Sequence, residues 1–201
     1  MTTIYTYNGQ VIREATTGKW FIEPTYVPPV PTDEVQIGNQ IWKSKNLAVD
    51  DGQGGIYTYT VNYGQGDVTE YYYTWDAAVR VANSISGWHL PDMFEFSTLA
   101  SSVGGISTAG TKLKSTYGWT TGNGTDEYDF TALPSGAVWY DSTQQSLYSV
   151  GTYACFWTST KFGQTTQAYA VELDTSATFM LSRITYTSNT AGTVRLVKDS
   201  Q

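Results

Sequence analysis

The chain has 201 residues, enough for one sizeable domain with a buried core and an appendage. With 11 Lys and Arg against 18 Asp and Glu the net charge is −7, and no basic cluster interrupts the acidity, which argues against a nucleic-acid partner. A single cysteine, Cys155, excludes an internal disulfide and a multi-cysteine zinc site within one molecule.

The aromatic content, 16 Tyr, 7 Trp and 7 Phe, favours strands and tight turns over long helices. The opening "MTTIYTYNGQV" has neither the basic region nor the apolar run of a secretory signal, and no segment has the apolar length of a membrane span. The expectation is a chain made in a cytoplasm that leaves by assembly into a virus particle. The alternative is a bacterial surface protein whose export signal has been removed. "IYTYNGQVI" reads as a hairpin about Asn8-Gly9. An isolated hairpin is marginal in water, so residues 1–26 are expected to form an arm for attachment or oligomerisation; a strand pair folded back on the main domain is the alternative. Pro28, Pro29 and Pro31 mark a semi-rigid linker over residues 27–33.

The main domain, 34–201, opens on a second tight hairpin about Gly38-Asn39. "TWDAAVRVANSI" predicts a first helix capped by Thr74, with Trp75, Ala78, Val79 and Ala82 on one face. A second helix follows Pro91, where Asp92 and Glu95 have capping-box spacing and Phe96, Leu99 and Val103 mark the buried side; Gly104-Gly105 ends it. After about residue 106 the chain is rich in glycine and short strand-like runs, and no third helix is expected. The fold class is α+β, helices early and strands late.

Several motifs carry a family resemblance: "IGNQIWKSKNL", "YYYTWDAA", "GWHLPDMFEFSTL", "AGTKLKSTYGW", "GNGTDEYDFTALPSG" and "FWTST", in that order. Over roughly residues 34 to 199 the chain resembles the Fibrobacter succinogenes major paralogous domain, a family associated with the C-type lectin-like fold. The same fold family includes formylglycine-generating enzymes and the variable proteins of diversity-generating retroelements, some of them phage receptor-binding proteins. The resemblance implies a domain with two helices and several short, mostly antiparallel strands, in which the first and last strands pair. It also implies a loop-rich binding face in the glycine-rich later half. Outside that match, the leader resembles those of phage structural proteins.

His89, the one histidine, sits in "GWHLP". In the family frame this is the turn feeding the second helix. Trp88 and Leu90 would be core anchors, and His89 would satisfy backbone groups with its ring nitrogens. A lone histidine without an acidic or nucleophilic partner close in sequence argues for scaffolding rather than catalysis. The paired copper-binding cysteines of formylglycine-generating enzymes cannot form here, and Ser159 in "WTSTK" carries no mark of a nucleophile. A two-carboxylate glycosidase needs only spatial proximity, which spacing does not test. The loops at Asp50-Asp51 and at Asn123, Asp126, Glu127 and Asp129 are oxygen-rich, but neither has EF-hand spacing. No catalytic residue, cofactor or metal is expected.

The remaining feature is the aromatic surplus, since Tyr and Trp give large contact area at small entropic cost. By analogy with variable lectin-like proteins the segment from Trp139 to Tyr186 is expected to carry the contacts, with Tyr140, Tyr148, Tyr153, Lys161, Phe162, Arg183 and Tyr186 as candidates. The expected function is a non-enzymatic binding module, a phage fibre or decoration protein presenting this face to a host surface glycan or protein. Its arm would dock on virion proteins or on other copies, a trimer suiting a fibre. A purely architectural capsid or tail subunit is the alternative.

Overall fold

Tyrosine-, valine- and threonine-rich runs cut by glycine turns produce short antiparallel strands and, among the described residues, three short helices. The structure, a computed structural model, describes the strands at 4–7, 10–14 and 20–22 by backbone, and residues 33–199 apart from Thr178, without the side chains of 180–186. Residues 1–32 and 33–201 form two compact units. In the first, β1 (Ile4–Tyr7), β2 (Gln10–Glu14) and β3 (Trp20–Ile22) form an antiparallel sheet in that order. Tyr7 pairs with Gln10, so the predicted hairpin is present; its turn, Asn8-Gly9, and the proline-rich 27–32 lie outside the described residues. The third strand was not anticipated.

The second unit begins with β4 (Glu34–Ile37) and β5 (Gln40–Lys43), joined across Gly38-Asn39. Gly38 has φ +62°, and a Cβ there would lie 2.4 Å from Ser102 Oγ, so both backbone and space require glycine. The last strand, β15 (Val197–Lys198), lies between β5 and β8 (Trp88–His89), giving the order β4-β5-β15-β8. The expected pairing of first and last strands is therefore corrected: the last strand pairs with β5, the second strand of the opening hairpin, while β4 takes the sheet edge.

A long hairpin, β6 (Ile56–Asn62) with β7 (Asp67–Tyr73), leads into α1 (Trp75–Ala82). Thr74 accepts from the Ala77 N–H as its cap. In α2 (Met93–Ser102) the capping box is complete: Asp92 accepts from the Glu95 N–H, and Glu95 accepts from the Asp92 N–H. Phe96 and Leu99 are fully buried, each contributing about 1.5–3 kcal/mol on burial.

A third helix, α3 (Ile106–Leu113), corrects the two-helix expectation. Gly110 in its middle lowers intrinsic propensity by about 1 kcal/mol, which obscures the helix in sequence. Packing decides instead: Ala109, Gly110 and Leu113 are all buried. The rest is antiparallel: β9 (Ala137–Tyr140) between β10 (Gln145–Tyr148) and β14 (Thr190–Ala191), and β11 (Ala154–Lys161), β12 (Gln167–Leu173) and β13 (Phe179–Tyr186) in sequence order. The whole is mixed α+β. Among the described residues no helix is long and apolar enough to cross a membrane.

The main core gathers Trp42, Phe96, Leu99, Phe130, Phe156 and Phe179 with smaller residues. Trp42 meets Phe96 at 5.1 Å and Phe130 edge-on at 5.8 Å between ring centroids. Into this core runs Arg195, 1% exposed. Its Nη1 donates to the Phe130 and Lys43 carbonyls, and its Nη2 donates to Asn46 Oδ1 (2.8 Å) and the Thr131 carbonyl. The Phe130 and Phe156 rings flank the guanidinium, 4.4 and 5.4 Å from ring centre to Cζ. Burial pushes its pKa down to about 9, with Glu70 and Asp126 pulling the other way, so it stays charged at neutral pH. Replacing Arg195 by Ala strips partners from three backbone carbonyls and from Asn46. The unfolding free energy should fall by roughly 3–5 kcal/mol, read from urea denaturation; a loss below about 1 kcal/mol would show that the guanidinium is dispensable.

Candidate functional site

The alternation in "IYTYTVN" puts Tyr57, Tyr59 and Val61 on one face of β6. There the hairpin packs on β9 and β10, with Tyr57, Tyr59, Tyr140 and Leu147 gathered around buried Tyr72 and Val138. The Tyr57 and Tyr140 rings lie 5.3 Å apart, tilted by 34°. Tyr140 is held by its hydroxyl, which donates to the Thr187 carbonyl at 2.9 Å. Burial, with Tyr57 and Asp76 nearby, pushes that hydroxyl up to about 12, and burial also raises Tyr57. Both rings thus remain neutral across the physiological range.

The two rings open onto a groove of about 220 Å³ whose other walls are Asp141, Thr143, Gln144 and Gln145, all exposed. Asp141 Oδ1 accepts from the N–H and hydroxyl of Thr143 and from the Gln144 N–H, which fixes the β9–β10 turn. These bonds hold its carboxyl below the usual carboxylate range. Asp141 Oδ2 and the side-chain amides of Gln144 and Gln145 make no hydrogen bond among the described residues. The groove therefore combines an aromatic wall with a rim of amide, hydroxyl and carboxylate groups.

The five candidate side chains among the described residues do not form one cluster. Tyr140 lies at the end of β9 that carries the groove. Lys161 ends β11 and Phe162 follows it; Lys161 places its ammonium 4.6 Å from the Trp75 ring centre, and Phe162, 37% exposed, meets Tyr169 edge-on at 5.7 Å. Backbone links join these two regions, from the Thr187 N–H to the Thr166 carbonyl and from the Tyr140 N–H to the Asn189 carbonyl. Tyr148 and Tyr153 stack at 6.4 Å near the other end of β9, where Tyr148 pairs with Ala137. The Tyr153 hydroxyl bonds the buried Glu172 carboxylate. Tyr153 precedes β11 while Lys161 ends it, a separation on the order of 20 Å along the strand. Arg183 and Tyr186 pair with Ala170 and Gln167 in the backbone of β13, and their side chains lie outside the described residues. Sequence reasoning missed Tyr57, which lies outside the expected segment and was signalled by the period-two pattern of β6, and it missed the polar rim of Asp141, Thr143, Gln144 and Gln145.

His89 is held by carboxylates rather than by backbone groups. Nδ1 lies 2.7 Å from Asp199 Oδ1, and Nε2 lies 2.8 Å from Glu95 Oε1. Glu95 is the same residue that closes the α2 capping box, so the acidic partner is six positions away. Leu90 is buried as expected, whereas Trp88 is only half-buried, with the ammonium groups of Lys43 and Lys198 at 4.3 and 5.4 Å from its ring centre. In the oxygen-rich loops, Asp51 takes both Nε and Nη2 of Arg80, and Asp126 accepts from the N–H and hydroxyl of Thr131. Among the described residues no group of three or more His, Cys, Asp or Glu side chains could hold a metal ion. Cys155 is fully buried.

Residues 35–198 match the Fibrobacter succinogenes major domain, which makes the chain a member of that family. No curated protein and no solved structure matches it.

For His89, burial alone would lower the pKa, but the Asp199 and Glu95 carboxylates outweigh it and the net shift is upward. A raised folded-state pKa means that the clamp's stabilisation is complete below the unfolded value of about 6.5 and is lost as pH rises through the folded value. The wild-type melting temperature should fall over that window relative to His89→Gln, which lacks the titration. Parallel pH profiles for the two proteins would show that the clamp is energetically silent.

Proposed function

We propose that this chain is a non-enzymatic recognition module that binds a surface saccharide in the Tyr57–Tyr140 groove. The observation that carries the reading is the pairing of two neutral aromatic rings with an exposed Asp141, Thr143, Gln144 and Gln145 rim. Sugar rings present apolar C–H faces and hydroxyl edges, and this groove offers a partner to each. A net charge of −7 with few charged side chains suits a neutral polyhydroxyl ligand better than an anionic one. Binding without turnover is supported by His89: both ring nitrogens are engaged with carboxylates, so the histidine has no free nitrogen to activate a nucleophile.

In the same reading the domain has a C-type lectin-like frame, supported by the last strand returning to the opening hairpin. The separate compact unit 1–32 acts as the mounting element, joining several copies to a virion fibre. Multiple copies would raise the avidity of a shallow groove without new contacts.

On a glycan array, the full chain should retain a restricted set of saccharides, and Tyr140→Ala should weaken the strongest by about tenfold or more. Tyr148→Ala, at the far end of β9, should leave binding unchanged. No saccharide retained, or equal effects of the two substitutions, would contradict the assignment and favour an architectural subunit. Deleting residues 1–32 should lower the oligomeric state seen by sedimentation; an unchanged state would remove the mounting role.

A further inference from the structure

A second concavity lies toward the opposite end of the β6–β7 hairpin from Tyr57. It encloses about 350 Å³ and is walled mainly by Leu47, Val68, Tyr117 and Leu133, with Lys45, Asn46, Glu70 and Arg195 as its charged and amide groups. Glu70 is 3% exposed, an unusual position for a carboxylate. It is not wasted on a direct ion pair: Tyr63 donates to Oε1 at 3.1 Å and Asn46 Nδ2 donates to Oε2 at 3.1 Å. Asn46 in turn accepts from Arg195, so one amide joins the two buried charges.

The hydrogen-bond capacity left in this floor is one-sided. The Nη groups of Arg195 are committed to three carbonyls and Asn46, and its Nε is sealed from solvent. Each Glu70 oxygen carries one protein donor, whereas a carboxylate offers about four acceptor sites in all. The floor therefore has acceptors to spare and no accessible guanidinium donor, because the one unpartnered N–H, at Nε, is sealed. Lys45 also lines the cavity but is exposed, and beneath it the two buried charges offset each other, so an ionised ligand reaching the floor would bring an uncompensated charge into a mostly apolar space.

We infer that this cavity is a binding site for a small neutral ring carrying an N–H or O–H donor, which Glu70 accepts while Leu47, Val68, Tyr117 and Leu133 hold the apolar body. The site is independent of the saccharide groove and does not rest on it. Its volume admits a molecule of the size of indole or phenol, and its acceptor floor discriminates against the same ring with the donor methylated.

Indole and 1-methylindole serve as probes on the full chain, by saturation-transfer NMR. Indole should bind, and 1-methylindole should bind at least about tenfold more weakly, because a hydrogen bond to a charged acceptor is lost. Val68 is 41% exposed on an edge of the hairpin, so Val68→Trp should plug the mouth, abolish the indole signal and leave the thermal melt nearly unchanged. Should that variant fail to fold, nuclear Overhauser contacts from indole to the Leu47 and Leu133 methyls of the wild type locate the site without it. No indole binding, equal binding of the two probes, contacts elsewhere, or indole binding by a folded Val68→Trp protein would each overturn the assignment.

Discussion

The guanidinium of Arg195 is the point on which the domain's arrangement depends. It reaches the end of β5 through the Lys43 carbonyl, the following loop through Asn46, and the segment after α3 through the Phe130 and Thr131 carbonyls. Lys43 closes β5, whereas Phe130 and Thr131 lie in a segment outside the strands, and buried carbonyls at these places would be unsatisfied without a donor. One buried cation, flanked by two rings, satisfies them together. The closing strand follows two residues later, and its pairing with β5 and β8 brings the C-terminal end beside the α2 cap. A hydrophobic residue of the same volume would fill the space but satisfy none of those acceptors.

Local chemistry with a short sequence range was legible. Thr74, Asp92 and Glu95 announce the helix starts, and the Gly38-Asn39 turn announces the β4–β5 hairpin, because each rests on groups within four residues. The α3 helix was not legible, since Gly110 argues against it and only tertiary burial argues for it. His89 shows the same limit in reverse. Its motif identified a turn before a helix, but one of its two partners, Asp199, lies 110 positions away.

The aromatic residues that suggest a recognition face are dispersed in the fold. Composition pointed to a recognition face in the second half of the chain, and Tyr140 does face the groove. Strand direction then divides the rest: β9 is only four residues long, yet Tyr140 ends it while Tyr148 of β10 pairs with its first residue, Ala137. Tyr153 is drawn inward by Glu172, while Lys161 and Phe162 pack on Trp75 and Tyr169. Meanwhile Tyr57 arrives from a hairpin 83 residues upstream of Tyr140, an encounter that no local pattern encodes. A set chosen by residue type and position in the chain thus contained one aromatic wall of the groove and lacked both the other wall and the polar rim.

The central claim is that neutral polyhydroxyl ligands settle between Tyr57 and Tyr140. Its most direct test is a backbone amide NMR titration of the full chain with a surface polysaccharide, digested to short oligosaccharides, that the protein retains. The account predicts saturable shifts concentrated at residues 57 and 140–145, with the amides around Tyr148 and Tyr153 unmoved. Shifts centred on any other part of the domain, or none at saturating oligosaccharide, would contradict it.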